Sequence, residues 1–273
     1  MDPMVILALI SVGLLAGTMG TLFGVGGGIL LIPILTIVFG LQANEAVAVS
    51  LVGIIAASTG AASHYVRINL SNVRLGLLLE ITTSIGAMMG AAFAMYMENW
   101  IILLIFGLVL IYSAVSMIIR KEKIIEQPDD VSDMCFSYTD NKDYKTKRYE
   151  VRNVKGGLLA CTAAGIMSSM AGVGGGTIKV PLMNIYMHVP MKVASATSSY
   201  MMGITAFSGA VVYFVHGGLL LDYASAIAVG AFIGSIAGTR LSRVLNSEPM
   251  RKYFSILLLI ISVIIFLRMG GIL

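Results

Sequence analysis

Apolar residues run along this chain in long blocks, with no strict alternation and no soluble-helix striping. Apolar segments at about 4–23, 28–40, 45–65, 73–97 and 100–120 are followed, after a charged interval, by segments at about 154–171, 176–188, 193–215, 219–240 and 250–268. Eight of the ten are long enough for a hydrocarbon core of ~30 Å, which takes ~20 helical residues. The other two, 28–40 and 176–188, span only ~20 Å at a helical rise of ~1.5 Å per residue. Composition agrees with the pattern, since 58% of the 273 residues are hydrophobic and only 12% are charged. That is more apolar surface than a soluble core of this length hides. The expected fold class is therefore an all-α polytopic membrane protein embedded in a lipid bilayer, with residues 4 onward belonging to the mature structure because no basic n-region precedes the first apolar run.

Each short segment follows a glycine knot, and the two knots are one motif written twice. Gly24-Val-Gly26-Gly27-Gly28 leads to Pro33, and Gly172-Val-Gly174-Gly175-Gly176 leads to Pro181, so both read G-V-G-G-G-x4-P at a constant offset of 148 residues. Such a recurrence implies duplication: a first membrane repeat over 1–120, a charged linker over 121–153 and a second membrane repeat over 154–273. Lys121-Glu-Lys, Asp129-Asp130, Asp140-Asn-Lys-Asp143 and Lys145-Thr-Lys-Arg148 mark the linker as solvated, flexible chain; the alternative, a small folded regulatory module, is disfavoured by its few apolar residues.

Lysine and arginine placement sets the expected topology. Nine of the eighteen fall between Arg120 and Lys155, which puts the linker in the cytoplasm. Alternate crossings from that anchor bring Arg67, Arg74, Lys192, Arg240, Arg243, Arg251 and Lys252 to the same side, leaving Lys179 within the membrane and Arg268 at the far face. Five segments per half is an odd number, so the second half is expected upside down relative to the first, with both termini external. Trp100 and Tyr96 fall at the expected outer boundary. Gly86-x3-Gly90 and Gly230-x3-Gly234-x3-Gly238 place small residues on one face of matching helices, a packing signal.

The net charge of +4 does not indicate nucleic acid, because the basic residues are interleaved with acids or end apolar segments. Cys135 and Cys161 lack a C-x-x-C spacing, and His64, His188 and His216 are scattered, so neither a metal site nor a cofactor is expected. No nucleophile with a paired base is visible, which argues against an enzyme. Nothing in the pattern specifies an oligomeric state.

The knots carry the candidate chemistry. A helix too short to span forces Gly24–Gly28 and Gly172–Gly176 into the membrane from opposite faces, and irregular backbone there must be buried in protein or line a watery cavity. Glycine accepts positive φ and lets a ligand approach backbone N–H groups. Each knot opens a helix whose free N–H groups and dipole favour an anion. The plainer reading is close packing at a tight hairpin, and the nucleotide-binding loop is rejected because no G-K-[ST] follows. Pro33 and Pro181 fit either as first helical residues or as kinks within the helix.

Lys179 lies three residues into the second short helix, near the expected midplane, where an ammonium is costly and marks function. Glu80, expected ~10 Å deep from the cytoplasmic face, is either a proton-coupling acid, a partner of Lys179 or a structural hydrogen-bonding group. Polar residues after each short helix, Asn44 and Ser50, then Lys192, Ser195, Thr197, Ser198 and Ser199, are brought by inversion to the level of the opposite knot. Ser50, Thr197 and Ser198 are the hydroxyls expected to meet oxyanion oxygens.

The doubled G-V-G-G-G-x4-P, with G-G-G-T-I-K-V-P and the V-P-M-K-V-A-S-A-T-S-S run at 189–199, resembles the TauE/SafE sulfite exporter family of membrane permeases. The resemblance covers both apolar halves and not 121–153. It implies transport of sulfite, sulfonates or related sulfur-containing anions across the cytoplasmic membrane, driven by an ion gradient such as that of H+. Another small anion, such as a carboxylate, fits the same pattern, and a membrane scaffold without transport is the third reading.

Overall fold

The long apolar blocks become helices because a chain in hydrocarbon must satisfy its own backbone polar groups. The computed structural model describes residues 2–24, 26–119, 134–140, 145–241 and 247–269. The first half holds α1 (Pro3–Phe23), α2 (Gly28–Ile37), α3 (Ala43–Arg67), α4 (Val73–Met95) and α5 (Asn99–Ile119). A hairpin of β1 (Cys135–Asp140) and β2 (Lys145–Glu150) precedes the second half, which holds α6 (Val154–Ala171), α7 (Gly176–Pro181), α8 (Met191–Val215), α9 (Leu221–Leu241) and α10 (Ser247–Met269). A π-helical turn, Leu182–Tyr186, continues α7. Among the described residues, six helices are long and apolar enough to cross a membrane: α1, α3, α4, α6, α8 and α9. The fold is that of an all-α polytopic membrane protein.

Small residues set the closest helix contacts. A methyl group at Gly17 would overlap the backbone of Ala231, and one at Gly234 the carbonyl oxygen of Leu14, so α1 and α9 touch backbone to backbone. The same holds for α4 and α6, where Gly86 faces Thr162 and Gly165 faces Thr83. These stripes permit close approach and gain dispersion in a setting where the hydrophobic effect does not drive helices together.

These contacts come in pairs that survive exchanging the two halves at the 148-residue offset. Gly17 with Ala231 becomes Gly165 with Thr83; Gly86 with Thr162 becomes Gly234 with Leu14; Gly24 with Ser195 becomes Gly172 with Val47. Gly26 lies against Met202 and Ile54, and Gly174 against Ile54 and Met202, the same pair in reverse. Each half thus repeats the glycine contacts of the other at the 148-residue offset.

The interval expected to be flexible, with a small folded module as the less favoured alternative, carries a folded hairpin. The charged runs at 121–133 and 141–144 lie outside the described residues, but β1 and β2 pair antiparallel from Cys135 with Glu150 to Asp140 with Lys145. Tyr149 is buried with Val151 among Leu75, Val180, Met183, Met187 and Val189. Its phenol oxygen accepts from Asn72 Nδ2 at 2.8 Å, and Arg152 N donates to Met187 O at 3.1 Å. Few apolar residues suffice here because the hairpin borrows its core from the ends of α4, α7 and α8. Burial pushes the Tyr149 phenol up to about 12.

Candidate functional site

Three glycines of each knot hold positive φ: Gly24, Gly26 and Gly27 at 67°, 90° and 75°, and Gly172, Gly174 and Gly175 at 59°, 72° and 74°. A side chain at these positions is strained, which accounts for glycine at six of the eight predicted positions. Gly28 and Gly176 instead open α2 and α7. Gly24 and Gly172 end α1 and α6 as left-handed caps, their N–H groups donating back to the last helical turn.

The knots meet. A methyl group on Gly28 would overlap Gly172 O, and one on Gly26 would lie 3.3 Å from Val173 O. Each knot is thus packed against the other and against α3 and α8, so close approach of protein to protein is part of what these glycines provide. Pro33 and Pro181 both lie inside their helices, which decides between the two placements open to them. Pro181 supplies no N–H, and the helix beyond it relaxes into the π-helical turn.

The polar residues expected near the knots divide by use. Ser50 Oγ donates to Gly172 O at 2.8 Å, tying α3 to the opposite knot. Thr197 Oγ1 accepts from Asn72 N at 2.9 Å, and Asn72 Oδ1 caps α4 by accepting from Leu75 N. Ser195 faces Gly24. Ser198 Oγ is buried and makes no hydrogen bond. Ser50 and Thr197 therefore spend their hydroxyls within the protein, and Ser198 does not.

Lys179 is fully buried, and its Nζ lies 3.3 Å from Glu80 Oε2. The ammonium also donates to Thr205 Oγ1, and the Thr205 hydroxyl donates to Glu80 Oε1. Ser84 Oγ adds a donor to the same carboxylate oxygen at 3.2 Å. Of the roles open to Glu80, partnership with Lys179 and structural hydrogen bonding are both seen. Thr205 is the member that sequence reading missed: nothing in the apolar stretch around it distinguishes it from a packing threonine, and only the crossing of α7, α4 and α8 gives it a role.

Glu80 follows Asn72 by eight residues, roughly 12 Å of helix, so the ion pair lies well inside the helix layer. It also adjoins the second knot, since a methyl group on Gly175 would lie 3.3 Å from Lys179 Cε. A crevice beside the first knot is lined by Gly20, Thr21, Gly26, Ala57, Ser58, Ala61, Ser199 and Met202. Its lining is mostly apolar, and its serine hydroxyls are engaged, Ser58 Oγ donating to Ser199 O at 2.6 Å and Ser199 Oγ to Ser195 O at 3.0 Å.

Comparison with known proteins adds to this geometry. The chain is 27% identical over 261 residues to a "Probable membrane transporter protein YunE" of Bacillus subtilis, covering 93% of this chain and 94% of that one. It is 23% identical over 271 residues, 94% of each, to a "Probable membrane transporter protein" of Haemophilus influenzae. A similar protein of Methanocaldococcus jannaschii is 26% identical over 211 residues, 75% of this chain and 71% of that one. No solved structure matches it. The family model described as "Sulfite exporter TauE/SafE" matches residues 9–265, both membrane halves and the hairpin between them, and the chain belongs to that family.

Proposed function

We propose that this protein is a secondary transporter of a small oxyanion, sulfite or an organosulfonate, working by alternating access between two halves inverted in the bilayer. Family membership makes it a membrane transporter rather than an enzyme. The observation that carries the finer reading is the buried Lys179–Glu80–Thr205 cluster beside paired glycine knots. Isolated charges do not persist in such a place without compensation, and intramembrane ionisable residues are kept for function. Lys179 supplies the counter-charge for the anion. The knots, Gly24, Gly26–Gly28 and Gly172, Gly174–Gly176, give the two halves a backbone hinge and an electropositive approach.

Glu80 neutralises Lys179 when no anion is bound. Proton uptake by Glu80 would release the ammonium, so the anion and one proton enter together and the buried charge stays balanced. This makes H+ the coupling ion. In this reading the hairpin side is cytoplasmic and both termini are external, in the cell membrane, as the lysine and arginine bias requires.

The test is flux of radiolabelled sulfite into proteoliposomes with and without an imposed pH gradient. Uptake that is saturable, driven by the gradient and lost in Lys179→Ala is the expected result. Uptake by Lys179→Ala at the wild-type rate and apparent affinity would overturn the placement of the site.

A further inference from the structure

Many buried hydroxyls among the described residues return to their own helix, although Ser50 and Ser58 bond across helices and Thr177 and Ser198 have no partner. Thr36 donates to Ile32 O, Thr83 to Leu79 O, Ser113 to Val109 O and Ser199 to Ser195 O, the usual way a hydroxyl is satisfied away from water. Ser168 and Ser169, in the last turn of α6, do not. Both are buried, at 2% and 0% exposure, and neither hydroxyl has a hydrogen-bond partner. Leaving a buried donor unpaired is unfavourable, so two in succession call for an explanation.

Their position supplies one. The methyl position of Gly175 lies 3.1 Å from Ser168 Oγ and 3.3 Å from Lys179 Cε, so hydroxyl and lysine flank the same knot glycine. Ser169 turns its hydroxyl onto α8 at Gly209, one helical turn from Thr205 and on the same face. The correspondence of the two halves at the 148-residue offset gives an independent argument. Ser169, Gly174, Thr205 and Gly209 correspond to Thr21, Gly26, Ala57 and Ala61, all of which line the crevice at the first knot. The free hydroxyls thus sit at the counterpart of an observed crevice, on the half that carries the charge.

We propose that Ser168 and Ser169 donate to the oxygens of the bound anion while Lys179 balances its charge, which rests on the transport reading above. Two hydroxyls and an ammonium make three donor groups around the second knot, Ser168 and Lys179 flanking Gly175 and Ser169 lying against Gly209. A pyramidal trioxo group, sulfite or a sulfonate, offers one oxygen to each, whereas a carboxylate has two oxygens and leaves a buried donor unpaired. A site built to hydrogen-bond a group rejects the analogue that lacks it. The site therefore selects –SO3 over –CO2, and this pair of serines rather than Ser50 and Thr197 sets the selectivity.

Methanesulfonate and acetate, which share a methyl group, separate the possibilities when each competes with labelled sulfite in proteoliposomes. In the wild type, methanesulfonate is expected to compete at a concentration at least tenfold lower than acetate. Ser168→Ala and Ser169→Ala should each weaken sulfite about tenfold and narrow the gap between competitors. Ser168→Gly, which installs the residue found at the corresponding Gly20, should do the same, and sulfite-dependent thermal stabilisation of the purified proteins reads binding apart from turnover. Wild-type sulfite affinity and an unchanged competitor ratio in folded serine variants would overturn the assignment while leaving the transport reading in place. A wild type that takes up neither sulfite nor sulfonate would overturn the transport reading and this assignment with it.

Discussion

At the first knot, the positions corresponding to Lys179, Thr205 and Glu80 hold Leu31, Ala57 and Ala228. The two knots share their left-handed glycines, their capped entry helices and their exchanged contacts with Ile54 and Met202. They differ in whether the helix after the knot brings a charge into the interior. Leu31 is as buried as Lys179, so the difference is chemical and not one of exposure. The two copies share the backbone device, and of the two aligned positions only Lys179 carries a charge. A second asymmetry follows the first, because a hairpin packs on the side of the charged cluster, with Tyr149 seated against α7 and the start of α4.

The strongest way to break the comparison is to make the surroundings of the second knot resemble those of the first. Lys179→Ala alone leaves the Glu80 carboxylate buried and unpaired, and should destabilise the protein by ~3–5 kcal/mol as well as abolish transport. The triple variant Lys179→Leu, Glu80→Ala, Thr205→Ala, which gives the second knot the residues that surround the first, should recover most of that stability in detergent thermal unfolding yet remain without flux. Recovery of flux in the triple variant would show that the asymmetry is irrelevant to function.

A smaller effect should fall evenly on both halves. Gly26→Ala and Gly174→Ala each force a Cβ into positive φ at matching places, and each should cost ~1–3 kcal/mol from backbone strain and contact with Ile54 and Met202. Equal losses of thermal stability support the shared backbone role, and a loss confined to one knot would break it.

The hairpin sharpens the comparison from outside the helix layer. Tyr149→Phe leaves Asn72 Nδ2 without its acceptor and should cost ~1 kcal/mol. Because burial raises the docked phenol to about 12 while a released tyrosine ionises near 10, docking is at full strength below about pH 10 and is lost as pH climbs toward 12. Alkaline difference absorbance of the wild type against Tyr149→Phe should show the missing phenol titrating near pH 12; titration near pH 10 would mean that the hairpin is not seated.

The smallest effect tests corresponding serines. Ser50 and Ser198 are related by the repeat, but only Ser50 bonds the opposite knot. Ser50→Ala should cost ~1 kcal/mol and Ser198→Ala close to nothing. Equal costs in thermal unfolding would mean that Ser198 also closes on Gly24.

Much of this was legible before any coordinates. Apolar block length alone predicts the long helices, because a chain in lipid has few ways to satisfy its backbone. The doubled knot predicts positive φ, because consecutive glycines before a short helix have no other economical use. Lys179 and Glu80 stand out individually, because a charge inside an apolar block is rare enough to be conspicuous.

What the sequence alone left undecided is every choice that depends on which helices cross. That Lys179 meets Glu80, that Thr205 joins them, and that Ser50 and Thr197 are engaged while Ser168 and Ser169 are free all arise between residues about a hundred or more positions apart, or from the absence of a local bond. Serine and threonine look alike in sequence whether they bond their own helix, another helix or nothing. The hairpin was hidden for a related reason: its own apolar residues are too few for a core, and it folds by borrowing one from helices that the linear order places elsewhere. Local propensity and hydropathy determine the elements, and the pairing of distant surfaces decides which polar groups remain for a ligand.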